Sequence, residues 1–356
     1  MRAMLLRRNA PIAERPLDLV EIPDPEPGPG EVRVRVRACA ICRTDLHVIE
    51  GDLPPRRLPL VPGHQIVGVV DRLGPDARTL AVGDRIGIAW LRGTCGSCEF
   101  CRSGSENLCE RSRYTGWHED GGYAEMAVVP EDFAYKIPDA FADHRAAPLL
   151  CAGIIGYRAL RRSGLPAGGR LGLFGFGSSA HVVLQIARHR RSEVYVATRG
   201  ESHRELARSM GASWVGGAFD VPPVPLDAAI VFAPAGEIVP PALRSLRKGG
   251  TVALAGIYMT PVPPLDYEEC LFHEKSLRSV EANTRADGEE LLREAAEIPL
   301  RPEVTTFPLE DANEALCRLK EDRIDGTGVL VVSGSASASG GAPEASPRCG
   351  PPGPRG

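Results

Sequence analysis

The chain has 356 residues, 43% apolar and 25% charged, close to the globular average, and a length that suggests two domains. Lys and Arg number 42 against 46 Asp and Glu, so the net charge is -4, which excludes phosphate neutralisation as its main business, and no nucleic-acid partner is expected. No apolar run reaches 18 residues and the N-terminal run is too short for a secretion signal, so neither a membrane partner nor export is expected.

Ten cysteines without an export signal point to a reducing, cytoplasmic setting, where clustered thiols bind metal more often than they pair. From Val32 the stretch EVRVRVRACAIC alternates apolar and charged residues, a half-buried strand. HQIVGVVDRLGPDA and AVGDRIGIAW carry further β-branched runs between glycine turns. Dense proline at 11–29 and 54–62 favours short strands and turns over long helices.

Cys95, Cys98, Cys101 and Cys109 follow as C-x2-C-x2-C-x7-C. Four thiolates at such gaps satisfy tetrahedral zinc with no open position, so the site would hold a loop rather than do chemistry. Buried free thiols do not suit this Gly- and Ser-rich setting, and the C-x2-C-x2-C-x3-C-P iron–sulfur spacing is absent.

From about Gly153 strands and helices alternate. RLGLFGF, EVYVATR, LDAAIVFAP and GTVALAGI read as strands, and SSAHVVLQIARH and HRELARSMGA as helices. This rhythm implies a doubly wound parallel sheet. Gly175, Gly177 and Ala180 form a G-x-G-x-x-A turn between the first strand and its helix, the context a dinucleotide-binding fingerprint requires. Gly175 permits the turn, Gly177 lets backbone approach a pyrophosphate, and Ala180 allows close packing. At the next strand end an NAD site wants an acid for the ribose; here stand Thr198 and Arg199, which suit a 2'-phosphate. NADP(H) is therefore the expected cofactor, with NAD(H) the alternative.

DGEELLREAAEIPL and LEDANEALCRLKEDR read as helices and GTGVLVV as a closing strand. From Ser333 Gly, Pro, Ser and Ala dominate, and 333–356 is expected to be a disordered tail.

Cys42, His64 and Cys151 each have a mundane reading as packed thiols or a loop histidine. Together they supply the three-ligand set of an open catalytic zinc site. CRTDLHVIEGDLP, the PGH step, VGDRIGI, the four-cysteine lobe, DGGYAE, PLLCAG and the glycine turn occur in one order. In these motifs the chain resembles the zinc-dependent alcohol dehydrogenases of the medium-chain dehydrogenase/reductase family, from about Met4 to Val332.

The resemblance implies an α/β fold: a Rossmann-type doubly wound domain plus a β-rich, GroES-like catalytic domain carrying a zinc lobe. The division expected is 1–152 for the catalytic domain, with the lobe at about 90–112. Residues 153–279 would bind the dinucleotide, and 280–332 would return to the catalytic domain. It implies two zinc ions per chain, one on Cys42, His64 and Cys151, the other on the four-cysteine lobe. Asp45 would orient His64, Thr44 would take the substrate's hydroxyl proton, and His47 would pass it to solvent through the cofactor ribose. Arg43 and Arg285 would lie near the cofactor phosphates. Where the family usually has Glu after the ligand histidine, this chain has Gln65, which keeps an oxygen donor but loses the charge. Trp90 and Trp117 would narrow the pocket towards small primary alcohols or aldehydes.

Zinc-dependent alcohol oxidation or aldehyde reduction by a homodimer or homotetramer is the leading expectation. A zinc-free quinone or enone reductase, or a zinc-stabilised binding module without enzyme activity, are the alternatives. Two, none or one zinc per chain separates the three.

Overall fold

The computed structural model describes residues 1–324 and 326–332, so the expectation for the tail lies outside the described residues. Two compact units form: one from Met1–Cys151 with the chain from Glu303 onward, the other Ala152–Pro302.

The first unit centres on strand Glu31–Ala40. Val32, Val34, Val36 and Ala38 point inward and are buried, while Arg35 and Arg37 point out, as the alternation predicts. Each buried branched side chain contributes about 1.5–3 kcal/mol. On one side this strand pairs antiparallel with Thr327–Val331, which runs parallel to Val304–Pro308. On the other it pairs with Gln65–Leu73, and the sheet continues through Arg85–Ile88 to Ala134–Lys136. Gly68 sits where a Cβ would stand 2.3 Å from the Arg35 carbonyl oxygen, so the central pair closes only around a glycine. A small ribbon, Leu91–Gly93 with Arg113–Tyr114, flanks the four-cysteine lobe.

The second unit is a six-stranded parallel sheet. Its order is Trp214–Gly216, Glu193–Ala197, Arg170–Phe174, Leu226–Val231, Leu246–Leu254, Ser276–Ser279. Numbered within the unit this is 3-2-1-4-5-6, the order of a Rossmann sheet. Leu171, Leu173 and Phe174 are buried, as a strand covered on both faces requires. The switch in strand order falls beside Arg170–Phe174, where the glycine turn begins.

The compact units divide at Glu303, where the expectation placed the return to the catalytic domain at 280. Helix Arg285–Glu297 belongs to the second unit because its acids meet that unit's arginines. Arg158 reaches the buried Asp287 at 2.6 Å, and Arg161 reaches Glu290 at 2.7 Å.

Candidate active site and metal centres

Strand Glu31–Ala40 ends just before Cys42, whose extended backbone caps helix Arg43–Glu50. The cap is reciprocal: the Cys42 sulfur accepts from the Thr44 N–H at 3.3 Å, and Asp45 Oδ2 accepts from the Cys42 N–H at 2.9 Å. The other Asp45 oxygen lies 2.8 Å from His64 Nδ1, leaving Nε2 to face Cys42 Sγ at 3.4 Å. Cys151, after the short helix Ala147–Leu150, completes the group. The three donor atoms lie within 4.8 Å of one another, although 22 and 87 positions separate them in sequence.

This donor set fits zinc. Tetrahedral bonds of about 2.3 Å to sulfur and about 2.05 Å to nitrogen put neighbouring ligands about 3.5 Å apart, and Cys42 and His64 stand at 3.4 Å. The electrostatics agree. Burial opposes a charge on His64, but Asp45 and Cys42 outweigh it and push the imidazole up to about 10. A hydrogen bond from Cys151 holds the Cys42 thiol well down, and the same bond pushes Cys151 up.

Cys95, Cys98, Cys101 and Cys109 also converge within 4.8 Å. Cys98 and Cys95 stand 3.5 and 3.9 Å from Cys101, against about 3.8 Å for the edge of a zinc–thiolate tetrahedron. The Ser97 N–H and the Arg111 side chain hold Cys95 down at about 5.

The remaining residues divide. Thr44 is buried two residues after Cys42. His47, a turn further along the helix, has Nδ1 at 3.1 Å from Asp52. Arg43 forms an ion pair with Asp322. Gln65 is fully buried with neither carboxamide atom hydrogen-bonded. Trp90 sets its edge against His64, 5.0 Å between ring centres, and stacks on Tyr114 at 4.9 Å and Trp117 at 5.9 Å. The Trp117 indole donates to the Pro54 carbonyl at 2.8 Å, and Arg56 lies over its ring at 5.1 Å. Tyr114 and His118 extend this cluster, and sequence reading missed them because isolated aromatics carry no spacing signal.

In the second unit Gly175 adopts φ +89°, and a Cβ there would meet the Ala233 nitrogen at 2.9 Å. Gly177 caps helix Ser178–His189 without a side-chain bond, and nothing lies within 4 Å of where its Cβ would be. The first N–H groups of a helix lack intrahelical acceptors, so this open turn suits an anionic group. Ala180 is fully buried. Thr198 is buried, its N–H on the Gly216 carbonyl at 3.1 Å, and Arg199 beside it is exposed. Arg285 opens helix Arg285–Glu297, half-buried.

Residues 28–139 match the alcohol dehydrogenase GroES-like domain family, and residues 180–297 the zinc-binding dehydrogenase family. A probable alcohol dehydrogenase of Mycobacterium tuberculosis, AdhA, is 50% identical, covering 93% of this chain and 97% of that protein. Cobalt- and zinc-bound thermostable alcohol dehydrogenase from Pyrobaculum aerophilum superposes with a TM-score of 0.83 at 27% identity, covering 93% of this chain and 99% of that one. An acetophenone reductase from Geotrichum candidum, in complex with NAD, gives 0.82 at 27% identity, covering 93% and 96%.

Proposed function

The chain belongs to the alcohol dehydrogenases of the medium-chain dehydrogenase/reductase family, and from that premise we propose that it is a zinc-dependent, NADP(H)-preferring enzyme for small primary alcohols and aldehydes. The observation that carries this reading is the convergence of Cys42, His64 and Cys151 on one point beside a buried Asp45–His64 pair. Three protein ligands leave tetrahedral zinc one position for substrate, whereas the four-cysteine lobe is closed. When bound, zinc supplies a Lewis acid that acidifies an alcohol hydroxyl, and the nicotinamide supplies the hydride acceptor.

The chain's own residues do the rest. Asp45 fixes the tautomer and direction of the His64 ring by accepting from Nδ1. Thr44, buried beside Cys42, takes the hydroxyl proton at Oγ1, and His47 hands it on to solvent. Trp90 presents its edge at His64, and Trp117 stacks behind it; together they limit the width of substrate and keep water out. The turn Gly175–Gly177 binds the cofactor pyrophosphate, with Arg285 supplying charge, and Thr198 and Arg199 take the 2'-phosphate.

Neither alternative is favoured, since a zinc-free reductase needs no such ligand trio and a binding module needs no glycine turn. Six thiolate ligands call for a reducing compartment, hence the cytoplasm, and among the described residues no helix is long and apolar enough to cross a membrane. Self-association as a dimer or tetramer is part of the proposal. The test is metal analysis joined to assay: two zinc ions per chain and alcohol-dependent reduction of NADP. Cys42→Ser should lose one zinc and the activity together; full activity without that zinc would end the reading.

A further inference from the structure

The DGGYAE stretch took no part in the chemistry above, yet it lies against the segment that delivers His64. Three backbone bonds tie the two: the Gly121 N–H donates to the Val61 carbonyl at 2.7 Å, that of Tyr123 to Pro62 at 3.0 Å, and that of Gly122 to Gly63 at 3.0 Å. Asp120 Oδ1 adds a fourth by accepting from the Val61 N–H at 2.9 Å. The approach is very close, since a Cβ on Gly121 would stand 1.9 Å from the Gly63 oxygen. Gly63 itself has φ +96°, and a Cβ there would meet the Tyr123 ring at 2.4 Å. Tyr123 is fully buried, and its hydroxyl lies near the Asp45 carboxylate with no partner at hydrogen-bond distance. Its ring fills the space against the glycine that precedes the ligand.

We propose that Tyr123 is a positioning residue for His64: its ring, pressed on the Gly63 backbone, fixes the peptide that aims the imidazole at Cys42 and Cys151. Free rotation at a glycine is the weak link in any ligand carried on the next residue, and the ring with its three-residue strap removes that freedom. The proposal rests on reading Cys42, His64 and Cys151 as a metal site.

The test follows zinc release from the intact, zinc-loaded protein to a chelating dye. The phase absent from Cys42→Ser marks the three-ligand site, and the four-cysteine zinc is the internal reference. Tyr123→Leu should speed the three-ligand phase about tenfold, the lower end of what supporting residues contribute to metal affinity, with the reference phase unchanged. Tyr123→Phe, which keeps the ring, should restore the wild-type rate. Asp120→Ala alters a half-exposed side chain and removes the Val61 acceptor together with a half-exposed ion pair to Arg57, so it should fold and speed the same phase roughly threefold. Equal acceleration of both phases would reduce Tyr123 to general packing. An unchanged rate in Tyr123→Leu, or in Asp120→Ala should the leucine variant not fold, would overturn the proposal, as would a phenylalanine variant as fast as the leucine one. A wild type holding one zinc would instead sink the metal-site reading beneath it.

Discussion

Asp45 and His64 form a fully buried pair, with carboxylate oxygen and ring nitrogen 2.8 Å apart. The second oxygen of Asp45 caps the helix that follows Cys42, so one side chain orients two residues of the proposed metal site. Asp45→Asn keeps the shape but leaves one acceptor for two donors. We expect zinc affinity at this site and kcat/KM to fall about 10- to 100-fold, in line with other histidine-orienting carboxylates. Zinc titration and steady-state kinetics check this; wild-type values for both would remove Asp45 from the mechanism.

Much of this was legible beforehand, for physical reasons. Thiol and imidazole clusters are rare enough that Cys42, His64, Cys151 and the four-cysteine lobe stand out by type and spacing. Strands such as Arg170–Phe174 are continuous apolar runs because both faces are covered. The two edge strands of the same sheet, Trp214–Gly216 and Ser276–Ser279, were not legible, being three and four residues long and only partly buried. The unit boundary at Glu303 was hidden because it depends on Asp287 meeting Arg158, 129 positions away. The bearing of Tyr123 on Gly63 is likewise a tertiary contact, without local trace.

The four-cysteine lobe buries few large apolar side chains. Its helix Glu99–Arg102 buries no residue, and Phe100 and Leu108 are exposed. Cys98→Ala should therefore cost one zinc per chain and open the lobe locally, since structural zinc supplies folding energy directly. Trypsin should then cut at Arg102 and Arg111, while far-ultraviolet circular dichroism stays near wild type because the six- and seven-stranded sheets lie elsewhere. Resistance to trypsin equal to that of the parent would show that the lobe stands without its metal.

His181 gives the second unit a pH dependence. It is fully buried in helix Ser178–His189, and burial pushes it down from 6.5 to about 4. The unfolded chain therefore binds more protons between these values than the folded one. Stability is complete above about 6.5 and declines as pH falls towards 4. Between pH 8 and 5.5 the term amounts to about 1 kcal/mol. Urea unfolding at the two pH values should show this extra loss in the parent and not in His181→Gln. Parallel curves would assign the acid sensitivity to other groups.

Gln65 buries an unpaired carboxamide next to the ligand histidine in the chain. Gln65→Glu would place a carboxyl where burial disfavours its anion, so its pKa should rise. An added acidic limb in the pH profile of kcat is the expected result, with kcat lowered or raised according to whether release or chemistry limits turnover. A profile superimposable on the parent's would make position 65 incidental.

On the proposed reading, cofactor choice turns on Arg199. It follows strand Glu193–Ala197 and the buried Thr198, at the strand end where an NAD site places an acid. The acid nearest in sequence, Glu201, opens the next helix but is engaged by Arg204 at 2.7 Å and Arg208 at 2.9 Å, and the Arg208 bond chiefly holds its carboxyl low. Such a carboxylate is partly neutralised and poorly placed to take a ribose hydroxyl. A guanidinium on a phosphate forms charge-assisted bonds worth about 1.5–3 kcal/mol. Arg199→Ala should therefore raise KM for NADP roughly 10- to 100-fold, the equivalent of that energy, and leave KM for NAD within about twofold. Arg199→Asp should go further and reverse the preference, since the new carboxylate repels the 2'-phosphate and accepts from the 2'-hydroxyl. Equal changes for both cofactors would place Arg199 outside the nucleotide site, and the preference would then have to come from Thr198 or from the helix that starts at Glu201.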